Sequence, residues 1–138
     1  MIELVVEANV DKLGDVIDFV NEKLEAASCP VKTKRQIDIS VEEIFVNIAN
    51  YAYGEDGGDA VLQMEFTDSP KVVSITFLDG GVPYNPLEKE DPDTSLSLEE
   101  RAVGGLGIFM TKNLMDDMFY EYKDGKNILN MKKTIPQD

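Results

Sequence analysis

Glu43 and Asn47 stand four residues apart in an apolar stretch, with Ile44, Phe45 and Val46 between them. On a helix that spacing puts both side chains on one face, and Asn50 extends the same polar stripe. A carboxylate there can take a proton from a hydroxyl or a water. A carboxamide oxygen can ligate magnesium. A second group, Asp79-Gly80-Gly81-Val82-Pro83, follows directly on an apolar run. An aspartate at such a place can accept a hydrogen bond from the exocyclic amine of a base, and bare glycine lets the backbone approach a flat ring. The third group is Gly104-Gly105-Leu106-Gly107, where an irregular segment gives way to a helical pattern. A glycine-rich helix entry offers backbone N–H groups and the positive end of the helix dipole to phosphate. Base, metal and phosphate each find a suitable group, and Mg-ATP is the ligand these residue types suggest.

Each group also has a plainer explanation. The polar stripe could be the wet edge of an amphipathic helix, Asp-Gly-Gly an ordinary strand-ending turn, and the glycine cluster a hinge. The cluster is not a dinucleotide fingerprint, because Met110 stands at the third glycine position and no strand immediately precedes it. A Walker-type Gly-Lys-Ser/Thr is absent from the sequence.

Residues 2–8 pattern as a strand, and Asn9 suits the N-cap of a helix carrying Val10, Leu13, Ile17, Val20 and Leu24. Thr33 and Gln36 form a capping-box pair that opens a second helix running to about Tyr53. Its buried stripe is Ile37, Val41, Ile44, Ile48 and Ala52, and Glu42 turns away from Glu43 by about 100°. Alternation in 60–67 and 71–78 predicts an antiparallel pair, and 118–123 with 127–134 a hairpin about Asp124-Gly125. Between Tyr84 and Val103 regular patterning is lost, save for a short helix over Ser97 to Arg101; a third helix begins within the glycines and runs to about Asp116. One domain over 1–138 is expected: an α+β, two-layer sandwich, with helices on one face of a mostly antiparallel mixed sheet.

The 138 residues carry 27 acidic and 13 basic side chains, a net charge of −14. That field disfavours a nucleic-acid backbone and favours a protein partner with a basic patch. The sequence holds no histidine, which excludes a Ser-His-Asp triad, histidine–zinc sites and phosphohistidine on this chain. A single cysteine, Cys29, forms no internal disulfide. No apolar run reaches the roughly 20 residues that span a bilayer. The acidic Met1 to Glu7 is too short for a secretory signal, so a cytoplasmic protein without a membrane role is expected.

Taken in order, the Glu43–Asn47 helix, the Asp79-x-Gly81-x-Pro83 box, the Gly104-Gly105-Leu106-Gly107 box and the closing hairpin from Tyr120 to Lys133 resemble the ATP-binding domain of the histidine-kinase-like ATPases, the Bergerat fold. Within that superfamily the chain most resembles the small anti-sigma-factor serine/threonine kinases of bacteria. The resemblance implies that Asn47 ligates Mg2+ on the phosphates and that Glu43 is the general base. It implies that Asp79 binds the adenine amine and Gly81 lets the ring approach. Gly105, Leu106 and Gly107 would meet phosphate, 84–103 would be the ATP lid, and Arg101 would be a phosphate contact. Asn130 takes the last-strand place where the family often has threonine near the adenine. Tyr51 replaces a basic residue or histidine, and the first helix offers Lys12 but no arginine.

The resemblance further implies phosphorylation of a small anti-sigma-antagonist-like protein, a sigma factor as a second ligand of the same surface, and allows a homodimer. Two other functions fit the same residues: an ATP-dependent binding switch that transfers nothing, and an interaction domain with a dead pocket.

Overall fold

The computed structural model describes residues 1–88 and 105–137. The short helix expected over Ser97 to Arg101, Arg101 itself, Gly104 and most of the segment 84–103 lie outside them.

The elements are β1 (Ile2–Glu7), α1 (Leu13–Ala26), α2 (Val31–Tyr51), β2 (Asp59–Thr67), β3 (Val72–Asp79), α3 (Gly105–Leu114), β4 (Asp117–Lys123) and β5 (Lys126–Thr134). Single 3-10 turns lie at Val10–Lys12 and Pro86–Glu88. The five strands form one sheet in the order β1-β2-β3-β5-β4. Every ladder is antiparallel, so the expected mixed sheet is corrected. β3 and β4 run in the same direction, but β5 is inserted between them and pairs antiparallel to both.

Strand alternation gives the sheet two different faces. Ala60, Leu62, Met64, Val73, Ile75, Phe77, Leu129 and Met131 are buried in one core with Val16, Val20 and Leu24 of α1 and Ile37, Val41, Ile44, Phe45 and Ile48 of α2. The other face carries Val5 and Phe119, 58% and 54% exposed. The α2 stripe is therefore buried as its period requires, with Phe45 added to it. Two buried hydroxyls are satisfied within their own helices: Ser40 donates to Gln36 O at 3.1 Å and Thr111 to Gly107 O at 3.0 Å.

Both helix starts differ in detail from the sequence expectation. Asn9 does cap, its Oδ1 accepting from Asp11 N at 2.9 Å, but it caps the 3-10 turn ahead of α1. α2 starts at Val31, with Pro30 before it and no side-chain cap, and Thr33 is buried inside the first turn. Proline fixes the φ of the residue before the helix, and the first-turn N–H groups receive no side-chain cap. The closing hairpin turns at Asp124-Gly125, both at positive φ as that pair favours.

Candidate functional site

α2 ends above the sheet where β3 gives way to a turn, and a cleft open to solvent lies between them. Phe77 and Leu129 come to it from the sheet, Ile44, Asn47, Ile48 and Tyr51 from α2, and Val82, Tyr84 and Pro86 from the segment after β3. Asp79, Asn127 and Tyr120 are its polar members on the strands. An apolar slot with a few convergent polar atoms is the form of a small-molecule site.

Asp79, the last residue of β3, is 6% exposed. Its Oδ1 accepts from Gly81 N at 2.9 Å and from Asn127 Nδ2 at 2.9 Å. Its Oδ2 meets no donor among the described residues. The turn after it is docked on the end of α2, where Val82 N donates to Ala52 O at 2.8 Å. A Cβ on Gly81 would overlap the Ala52 carbonyl, so a close backbone approach at Gly81 exists, made to the helix end. Tyr53 holds the turn from its other side: its hydroxyl accepts from Gly80 N at 2.7 Å and donates to Asp59 O at 2.7 Å. Burial raises the Tyr53 pKa, with the Gly80 N–H pulling it back. Tyr53→Phe leaves the Gly80 N–H and the Asp59 carbonyl without this partner. It is expected to cost about 1–2 kcal/mol in urea unfolding, with an unchanged slope.

Glu43 and Asn47 are joined on α2: Asn47 Nδ2 donates to Glu43 Oε1 at 2.8 Å and to Glu43 O at 2.9 Å. Those bonds leave Asn47 Oδ1 without a protein donor among the described residues, on a side chain that lines the cleft. A free amide oxygen fits a hard cation. The described residues hold no group of three or more acidic, histidine or cysteine side chains placed to cage a metal. Magnesium suits such a place, since it usually keeps waters and shares phosphate oxygens. Gly107 lies in the first turn of α3 against the Glu43 carboxylate, which a Cβ there would overlap. Gly105 and Leu106 precede it in the same turn.

The fold thus brings Glu43, Asn47 and Gly107 together, and Asp79 and Gly81 at the strand end, with Asn47 and Asp79 on one cleft. Asn130 is not among the cleft residues. It lies on the far side of the sheet, where its Nδ2 donates to Ser74 Oγ at 2.8 Å and Thr76 Oγ1 at 2.9 Å. The residue of β5 that does reach Asp79 is Asn127, opposite it in the ladder. Alternation from the buried Leu129 and Met131 puts 127, not 130, on the cleft face. Glu42 and Asn50 are exposed, outside the cleft lining.

These features define an α+β domain with an apolar, small-molecule-sized cleft, and comparison with known proteins gives the family. The family model described as "Histidine kinase-like ATPase domain" matches residues 6–133, and the chain belongs to that family. Among curated relatives, the serine/threonine-protein kinase BtrW of Bordetella bronchiseptica is 25% identical over 95 residues, covering 69% of this chain and 66% of its own length. The serine-protein kinase RsbW of Bacillus thuringiensis is 30% identical over 104 residues, covering 72% of this chain and 63% of its own. The chain thus aligns with somewhat less than two thirds of each relative. The solved RsbU and RsbW domains of Rv1364c from Mycobacterium tuberculosis share the fold, with a TM-score of 0.65 and 13% identity over 100% of this chain and 34% of that one. No helix among the described residues is long and apolar enough to cross a membrane.

Proposed function

We propose that this protein binds Mg-ATP in the cleft and transfers the γ-phosphoryl group to a serine or threonine of a small protein partner of the anti-sigma-antagonist kind. A sigma factor would be a second ligand of the same surface. The single observation that carries the reading is that Asp79 and Asn47 line one apolar cleft, each with an oxygen (Oδ2 and Oδ1) that meets no donor among the described residues. One is a base-reading acceptor and the other a cation ligand. The names of the aligned relatives, both protein kinases, support a protein acceptor.

In this reading the adenine ring lies against Phe77, Ile48 and Leu129, with its amine on Asp79. Asn47 Oδ1 would hold magnesium, which would supply neutralisation of the charge on the transferring group. The N–H groups of the first turn of α3, at Gly105, Leu106 and Gly107, face the phosphates, and Arg101 supplies a positive charge. Glu43, one helical turn from Asn47, takes the proton of the acceptor hydroxyl. Phosphoryl transfer is chiefly a matter of positioning and charge neutralisation, and these groups supply both.

The test is incubation with γ-labelled ATP, Mg2+ and candidate partner proteins, followed by phosphoserine and phosphothreonine analysis. Label on partner hydroxyls is expected. ATP binding without label on any partner would leave the non-catalytic switch.

A further inference from the structure

Asn127 is 6% exposed, and a buried amide costs free energy unless its hydrogen bonds are made. Here all are made. Its Nδ2 donates to Asp79 Oδ1 and to Val82 O, each at 2.9 Å. Its Oδ1 accepts from Tyr84 N at 3.1 Å and from the Tyr120 hydroxyl. Two of these partners fix the amide's orientation by themselves, because a backbone N–H can only donate and a carbonyl can only accept. The network therefore runs one way: Tyr120 O–H to the amide oxygen, amide N–H to the carboxylate. Together with Gly81 N it occupies one oxygen of Asp79 and pins the plane of the carboxylate. The other oxygen, on a side chain that lines the cleft, meets no donor among the described residues. Asn127 itself has no donor or acceptor left for a ligand.

We infer that Tyr120 and Asn127 are positioning residues that aim Asp79 Oδ2 at the exocyclic amine of the bound base, without touching the nucleotide through Asn127. This rests on the adenine reading above. It assigns the discrimination for an amino-bearing purine to a three-residue relay spread over β4, β5 and the end of β3, rather than to Asp79 alone. Each Asn127 partner has a separate consequence. Losing the Tyr120 hydroxyl removes one of two donors at Oδ1 and loosens the amide. Changing Asn127 to aspartate replaces the donor facing Asp79 with a second carboxylate, and like charges at such a distance repel.

The test compares wild type, Tyr120→Phe and Asn127→Asp for binding of Mg-ATP and of Mg-purine riboside triphosphate, which carries hydrogen in place of the amine. Wild type is expected to prefer ATP. Tyr120→Phe should weaken ATP about fivefold, the weight of one hydrogen bond of about 1 kcal/mol, and leave the analogue within about twofold. Asn127→Asp should weaken ATP by more than that, and its thermal midpoint, compared with that of Tyr120→Phe, shows whether it folds. Equal weakening of both nucleotides by Tyr120→Phe, or no weakening of either, would overturn the positioning role while leaving ATP binding intact. A wild type that binds neither nucleotide, or both equally, overturns the adenine reading and the relay with it.

Discussion

Gly81→Ala is expected to lower the stability of the protein by about 3 kcal/mol, roughly 10 °C in the thermal midpoint. The added methyl would overlap the carbonyl group and Cβ of Ala52 at the end of α2. Backbone at a helix end cannot swing aside as a long side chain can. The turn must therefore lift, and the Val82 N to Ala52 O bond of 2.8 Å goes with it. Gly80→Ala is the control. Its Cβ would find nothing closer than the Tyr53 hydroxyl at 3.6 Å, an ordinary contact, so a change within about 1 kcal/mol is expected. Chemical unfolding of the two variants side by side decides the matter. Equal losses would mean that the packing of this turn on α2 is not what the glycine serves.

Glu43→Gln is expected to lower phosphoryl transfer by about 10²–10⁴-fold while leaving Mg-ATP affinity nearly unchanged. The amide keeps the shape of the side chain and an oxygen for the 2.8 Å bond from Asn47, so the helix and the cation ligand stay in place. What is lost is the ability to take a proton. The checks are single-turnover transfer to the partner and a binding titration on the same preparations. A parallel loss of transfer and affinity would make Glu43 a binding residue and remove the general-base assignment.

The Glu43–Asn47 pair was legible in the sequence because a 3.6-residue period orders both the buried stripe of α2 and the polar residues beside it. Asp79 was legible because the end of an alternating strand is a defined place. The partner of Asp79 on β5 is not legible in the sequence. Asn127 and Asn130 are both asparagines on one strand, and only the phase set by Leu129 and Met131 separates the face that holds each. The docking of Gly81 on Ala52 and the grip of Tyr53 on the turn are contacts between segments distant in sequence, which local periodicity does not encode. The insertion of β5 between β3 and β4 is likewise a property of the assembled sheet. The lower part of α1 shows the same limit: Val10, counted with its apolar stripe, is 47% exposed in a 3-10 turn, and Val16 is buried in its stead.

The most direct test of ATP binding is the thermal midpoint of wild type and Asp79→Asn, each with and without Mg-ATP. In the variant, the amide oxygen can still accept from Gly81 and Asn127, which turns an N–H donor toward the amine of the base. A wild-type rise corresponding to about 2.7 kcal/mol is expected at a hundredfold excess of ATP over its dissociation constant, with loss of most of that rise in the variant. No rise in wild type, or an equal rise in both, would contradict it.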